Sequence, residues 1–73
     1  MQQSNRGSSF ASNLRAERSR RDLSQGELAK IVGVDIASVQ NWENGDYMPT
    51  LRITIKLADA LGVSIDRLVQ GEE

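Results

Sequence analysis

Residues 23–45, LSQGELAKIVGVDIASVQNWENG, contain two short helical patterns separated by a glycine. The first begins with Ser24 and Glu27, the spacing of a capping box, in which each side chain accepts a hydrogen bond from a free backbone N–H of the first turn. Apolar residues then recur at helical spacing, and Gly33 supplies the left-handed conformation that commonly ends a helix. The segment therefore predicts one helix that ends near Val32 and a second that follows closely.

The second pattern predicts a helix with a buried side and a polar side. Asp35 is a favourable N-cap residue for it. The helix is expected to run to Trp42 or Glu43 and to be ended by Gly45. Val39 and Trp42 are three residues apart, so they share the side that is expected to face the core.

The polar side of this second helix carries side chains suited to reading DNA. Asparagine and glutamine bond bidentately to adenine in the major groove, and small apolar side chains fit the thymine methyl group. Taken alone, the pattern is more typical of a solvated helix surface, because amide side chains are common on protein surfaces. The residues on this side are Ile36, Ala37, Gln40, Asn41 and Asn44.

Three blocks of the sequence resemble one family of DNA-binding domains. The blocks are S-Q-x-E-L-A-x-x-x-G-V, then W-E-N-G, then L-A-D-A-L-G-V followed by S-I-D-R-L-V. Over residues 10–71 they resemble the lambda-repressor-like, Cro-type helix-turn-helix family, also called the XRE family. The resemblance implies an all-α, compact five-helix domain in which helices two and three form the helix-turn-helix. Residues 1–9 are polar and are expected to form a disordered N-terminal tail.

The resemblance also implies roles for individual residues. It implies base readout by Ile36, Ala37, Gln40 and Asn41. It implies contacts to the DNA backbone from Gln25, Ser38 and Asn44, with Gln25 also bracing the recognition helix, which is the second helix of the pair. Support of that helix is implied for Trp42 and for an ion pair between Arg18 and Glu43. The alternatives are an exposed acid at a helix end for Glu43 and a turn residue for Asn44.

Departures from the family pattern bear on specificity and packing. No arginine or lysine lies on the outer side of the recognition helix, so the commonest contact to guanine is absent and an A·T-leaning half-site is expected. Asp46 stands where relatives often carry a basic residue near the DNA backbone. Thr54 stands where the family usually has a core leucine, and this shift is expected to push Ile53 outward.

The remaining chain predicts three further helices. The first is expected to begin between Phe10 and Ser12 and to end at Arg21. A last short helix is expected to follow the cap residue Ser64 and to end near Gln70.

Between them, residues 51–57, LRITIKL, alternate between apolar and polar side chains and are rich in β-branched residues, a pattern typical of a strand. The sequence continues as a helical pattern as far as Gly62, however, so a helix is predicted there.

Composition excludes several other classes of protein. A chain of 73 residues with 38% hydrophobic residues suits one small domain. It has no cysteine and no histidine, so no disulfide framework, zinc finger or histidine-based catalysis is expected. No catalytic residue is predicted, because no base is placed beside a nucleophile. No metal site or cofactor is predicted, because the sequence contains no cluster of metal ligands and no glycine-rich phosphate loop. No apolar run is long enough to span a membrane, so a cytoplasmic location is expected. The family resemblance implies a regulator of bacterial or phage type.

The net charge of −1 is unusual for a nucleic-acid-binding domain, which is commonly basic. The charges are unevenly distributed, however. Residues 1–30 hold six basic and three acidic residues, whereas residues 31–73 hold three basic and seven acidic residues. The net charge of a DNA-binding face can therefore be less negative than that of the chain as a whole. Solvated charges are expected for Arg15, Arg20 and Arg21, and the alternative is that one of them contacts a DNA phosphate.

The sequence thus predicts a transcriptional regulator, most simply a repressor, that binds double-stranded DNA as a homodimer at a near-palindromic operator. The alternative is a protein-interaction module of the same fold, either an antitoxin bound to a toxin or a bridging coactivator. The sequence also leaves open a protein partner, which would be a toxin or a C-terminal effector domain. An exposed Ile53 or Tyr47 would favour this alternative, as does the acidic second half of the chain.

Overall fold

The computed structural model describes residues 8–72, which fold into five α-helices. The helices are α1 (Ser8–Arg20), α2 (Gln25–Val32), α3 (Ile36–Asn44), α4 (Leu51–Leu61) and α5 (Ile65–Val69). No strand occurs among the described residues, and the predicted all-α, five-helix architecture is confirmed. In this part of the chain no helix is long and apolar enough to cross a membrane.

α1 begins earlier than the sequence predicts. It starts at Ser8, two residues before Phe10, the earliest predicted position. The last two residues of the predicted tail, 1–9, therefore belong to the helix, and residues 1–7 lie outside the described residues. A contact with the far end of the described chain stabilises the first turn, in which the N–H of Phe10 donates to Oε2 of Glu72 at 2.7 Å. This bond satisfies one of the free N–H groups of the first turn and brings a negative charge to the positive end of the helix.

α2 and both of its ends match the prediction. The hydroxyl of Ser24 accepts from the N–H of Glu27 at 3.0 Å, and the Glu27 carboxylate accepts from the N–H of Ser24 at 2.7 Å. The capping box is therefore complete. At the other end Gly33 is left-handed, with φ of 84°, and its N–H donates to the carbonyl oxygen of Ala29.

α3 buries one side against the rest of the domain. Val39 and Trp42 are buried, as predicted, and Glu43 is buried with them. Asp35 occupies the N-cap position, but its side chain makes no capping hydrogen bond. The helix ends at Asn44, one residue past the predicted Glu43, and Gly45 follows it in the left-handed conformation, as predicted.

Residues 51–57 are helical, as predicted from the pattern that continues to Gly62, and their strand-like alternation does not decide the structure. The hydroxyl of Thr50 caps α4 by accepting from the N–H of Ile53 at 3.2 Å. Thr54 is buried, and its hydroxyl donates to the carbonyl oxygen of Thr50 at 2.8 Å. The backbone of α4 thus supplies the hydrogen bond that the buried Thr54 hydroxyl requires. A threonine can therefore stand at this core position, where the family usually has a leucine.

The prediction that Ile53 is pushed outward is wrong. Ile53 is half-buried and packs against the core. The buried face of α4 includes Thr54 and Leu57, and Ile53 borders this face because positions 53 and 57 lie one turn apart. The exposed apolar residues of α4 are instead Leu51 and Ile55.

The hydrophobic core lies between the five helices. α1 packs against α3 and α5, while α2 packs against α3 and α4. The fully buried large apolar side chains are Phe10, Leu14, Leu28, Val39, Leu57, Leu61 and Leu68. The inner side of α3 is therefore held by α1 and α2, which leaves its outer side open.

A buried carboxylate joins α1 to α5. Glu17 is only 3% exposed and accepts hydrogen bonds from Arg20 at 2.6 Å, Arg21 at 3.0 Å and Arg67 at 3.1 Å. Arg20 and Arg21 are exposed to solvent, as predicted, but both also pair with Glu17, which the sequence did not predict. A carboxylate removed from water requires such partners. Burial alone raises the pKa of the Glu17 carboxyl, but the hydrogen bonds from Arg21 and Arg20 outweigh it, so that its pKa lies below the ordinary value.

Candidate nucleic-acid interface

The four residues predicted to read bases lie on the outer part of α3. Ile36, Ala37 and Gln40 are exposed, and Asn41 is half-buried, whereas Val39 on the opposite side is buried. The exposed surface thus offers amide donors and acceptors beside small and branched apolar groups. This combination matches the adenine and thymine edges of the major groove.

Ile36 also connects the start of α3 to the start of α2. A Cβ atom on Gly26 would lie 3.6 Å from Cδ1 of Ile36, an ordinary van der Waals distance, so the isoleucine side chain lies over this glycine. Ile36 nevertheless remains 48% exposed. Part of its surface therefore lies against the first turn of α2, and the rest is open for contact.

Glu43 is buried at the inner side of α3, where it forms an ion pair with Arg18. The side chains of Glu43 and Arg18 are 1% and 17% exposed. Nε of Arg18 donates to one carboxylate oxygen at 2.7 Å, and Nη2 donates to the other at 3.0 Å. This bidentate hydrogen bonding raises the pKa of the Arg18 guanidinium. The alternative that Glu43 is an exposed acid is therefore wrong.

Gln25 adds α2 to the same network. Its Nε2 donates to Oε1 of Glu43 at 3.0 Å, and the side chain is half-buried at the first position of α2. Arg18 also donates to the carbonyl oxygen of Leu23 at 2.7 Å, which ties the turn before α2 to α1. The recognition helix is thus fixed to both neighbouring helices by one carboxylate. The same contacts hold the start of α2 in a defined position beside α3. The free N–H groups at the start of a helix favour a bound anion such as a phosphate.

The other residues with predicted DNA or support roles are more widely distributed. Asn44 is exposed at the end of α3, Ser38 is half-buried in its first turn, and Trp42 is 7% exposed on the inner side. Asp46 is exposed just after the helix. The structure thus brings Arg18, Gln25 and Glu43 together, whereas Asn44 and Ser38 contact none of them by hydrogen bond or ion pair among the described residues.

Two polar side chains of α1 make contacts that the sequence did not predict, and one of them is Arg15, which was expected to be only a solvated charge. Arg15 donates to the main-chain carbonyl oxygen of Glu43, and Asn13 donates to the carbonyl oxygens of Leu68 and Gln70, both at 2.9 Å. Arg15 precedes Arg18 by three residues, so the two share one side of α1, and this spacing was available in the sequence. No sequence pattern indicated the partners of Asn13, because they lie more than fifty residues away.

The loop after α3 exposes large apolar side chains. Tyr47 is 65% exposed and Met48 is 49% exposed, and neither packs into the core. Leu51, at the start of α4, is 70% exposed. These three side chains form exposed apolar surface after the C-terminal end of the recognition helix.

Comparison with known proteins identifies the family. A family model described as helix-turn-helix matches residues 14–68. The chain belongs to this helix-turn-helix family. Two curated relatives are each named cryptic phage CTXphi transcriptional repressor RstR. The one from Vibrio cholerae serotype O1 is 39% identical over 44 residues, and the other, from Vibrio cholerae, is 39% identical over 64 residues. These matches cover 60% and 88% of this chain, which spans 39% and 58% of the relatives' lengths.

Solved structures share the fold over most of the chain. The restriction-modification controller protein C.AhdI from Aeromonas hydrophila is 34% identical with a TM-score of 0.81, covering 85% of this chain and 94% of that one. The P22 c2 repressor, crystallised in complex with the synthetic operator 9T, is 30% identical with a TM-score of 0.81, covering 86% of this chain and 96% of that one. The helix-turn-helix assignment made from the sequence is confirmed by these matches and by the family model.

Proposed function

We propose that the protein is a transcriptional repressor that binds a specific sequence of double-stranded DNA through α3. The observation that carries this proposal is the outer surface of α3, where amide and apolar side chains are exposed while the inner surface is fixed by buried contacts. Support also comes from the names of the two relatives and from the operator complex of the P22 c2 repressor. A bound repressor would act by blocking polymerase at the operator.

In the proposed complex, α3 enters the major groove. Ile36 and Ala37 contact thymine methyl groups, and Gln40 and Asn41 form hydrogen bonds with base edges. Contacts to the DNA backbone come from Gln25, Ser38 and Asn44. Such contacts set the register of the protein on the duplex without reading its sequence.

We further propose that two copies bind one operator. A homodimer would place two recognition helices about 34 Å apart, one turn of the duplex, and would require a near-palindromic site. The proposed function implies a cytoplasmic location in a bacterium, where the operator would be found.

Selection of binding sites from a random duplex-DNA library, followed by sequencing of the bound pool, tests the proposal. Enrichment of a motif with two-fold symmetry is the expected result, with A·T pairs prominent at the positions facing α3. If a folded protein enriches no motif at low salt, specific DNA binding is contradicted.

The exposed Tyr47, Met48 and Leu51 favour a second candidate function, a protein-interaction module such as an antitoxin or a bridging coactivator. Absence of an enriched DNA motif, together with stoichiometric copurification of a second protein from the native host, would favour this candidate over the repressor.

A further inference from the structure

The C-terminal end of α3 is held by two arginines of α1, and they bind different parts of the same residue. Arg18 binds the carboxylate of Glu43, whereas Nη1 of Arg15 donates to the main-chain carbonyl oxygen of Glu43. The carboxylate lies at the end of a side chain with several rotatable bonds. The carbonyl group, in contrast, is part of the helix itself. Arg15 therefore holds the backbone of α3 directly, whereas Arg18 holds it through the side chain of Glu43.

α3 has few stabilising groups at its own ends. It has nine residues, its N-cap residue Asp35 makes no side-chain capping bond, and no basic residue lies in its last turn. A helix this short depends on contacts with its neighbours. The last carbonyl groups of a helix carry partial negative charge and are stabilised by a nearby cation. Arg15 supplies this cation from α1, and its Nη2 lies 3.4 Å from the hydroxyl of Ser12, which orients the guanidinium.

We propose that Arg15 is a positioning residue for DNA recognition, which acts by holding the carbonyl end of the recognition helix. This inference rests on the proposed function. Gln40 and Asn41 lie within one turn of the carbonyl that Arg15 binds, so the tilt and height of these two side chains relative to the major groove depend on that bond. Arg15 acts through α3 and makes no contact with DNA.

The test compares the wild type with Arg15→Met, Arg15→Lys and a charge-matched control, Lys56→Met. Lys56 is exposed on α4, which packs against α2 and α5. Binding is measured by fluorescence anisotropy on the site selected by the wild type and on the same site with one base pair changed. Relative to the control, we expect Arg15→Met to bind the selected site about tenfold more weakly, as for loss of one charged hydrogen bond, with a smaller loss on the changed site. Arg15→Lys should regain part of the affinity, because an ammonium group donates to the same carbonyl.

The salt dependence of binding separates positioning from direct contact with DNA. A plot of log affinity against log salt for Arg15→Met should have the same slope as that for Lys56→Met. A slope shallower by about one would mean that Arg15 contacts a phosphate, which would overturn the inference.

Hydrogen exchange in the free protein gives a second readout that requires no DNA. In both Arg15 variants the amides of Gly45 and Asp46, which bond back to the last turn of α3, should exchange faster than in the control. Unchanged exchange and unchanged discrimination between the two sites would overturn the inference, even if the melting temperature falls. Failure of the wild type to select any site would overturn the proposed function and this inference together.

Discussion

Glu43 shows how one residue can determine the placement of a recognition helix. Its buried carboxylate accepts from Arg18 at both oxygens and from Gln25 at one of them. From its residue type alone, Glu43 is expected to be an exposed acid, because a glutamate at a helix end is usually solvated. The family resemblance indicated the pair with Arg18. The sequence could not show the depth of burial, which depends on how closely α1, α2 and α3 approach one another.

Loss of one partner of this ion pair should be costly. Arg18→Met leaves the Glu43 carboxylate buried without its cation, which is expected to lower the free energy of unfolding by about 3–5 kcal/mol. The double variant Arg18→Met with Glu43→Leu removes the buried charge as well, so it should be more stable than the single variant. Urea unfolding followed by circular dichroism measures both. A double variant less stable than Arg18→Met would contradict this account of the pair.

Trp42 tests the rotation of α3 about its own axis. Because its side chain is buried in the core, Trp42→Ala is expected to lower the free energy of unfolding by about 3–5 kcal/mol. Tyr47→Ala is the matched control, since Tyr47 is 65% exposed and should change stability by less than about 0.5 kcal/mol. Equal stability of the two variants in thermal melts would mean that α3 faces the core with another side.

At the scale of elements, the ends of helices could be predicted better than their faces. Ser24, Gly33 and Gly45 mark helix ends by their own chemistry, and the structure has the caps at these positions. The outward shift expected for Ile53 is wrong because the face of α4 is set by packing against α2 and α5, which local sequence does not specify. Asp35 is a residue type that favours the N-cap position, but its side chain makes no capping hydrogen bond. Residue type alone does not fix the side-chain rotamer that such a bond requires.

The two N-caps of the helix-turn-helix should therefore differ in their contribution to stability. Ser24→Ala removes a hydrogen-bonded cap and should cost about 1 kcal/mol of unfolding free energy. Asp35→Ala removes only a charge near the start of α3 and should cost about 0.3–0.5 kcal/mol. Chemical denaturation of the two variants in parallel provides the comparison. A larger loss for Asp35→Ala would show that its side chain caps α3 in solution.

At the scale of the whole molecule, polar contacts join the two ends of the chain. Glu17 on α1 binds Arg67 on α5, Asn13 caps the carbonyl groups at the end of α5, and Glu72 binds the start of α1. These partners are at least fifty residues apart, so no local pattern in the sequence could reveal them. The net charge of −1 also conceals this arrangement, because a count of charged residues does not show which of them are paired.

The buried Glu17 should make stability depend on pH in acid. The pKa of its carboxyl in the folded protein lies below the ordinary value of 4.5, so folding favours the charged form. The ordinary value of 4.5 is taken as the pKa of Glu17 in the unfolded chain. The contribution of Glu17 to the free energy of unfolding is therefore complete above about pH 4.5, and it is lost as the pH falls through the lower pKa of the folded protein. Glu17→Gln should show a smaller fall in melting temperature between pH 6 and about pH 3 than the wild type. Identical pH profiles for the two proteins would contradict the assignment of this pKa.

The central claim is that the outer side of α3 reads DNA sequence, and its most direct test is a paired selection experiment. Wild type and the double variant Gln40→Ala with Asn41→Ala are each used to select sites from the same random duplex library. The wild type should enrich a two-fold symmetric motif, while the double variant should remain folded and lose preference at the base pairs that face these two amides. Enrichment of the same motif with the same strength by both proteins would contradict the claim.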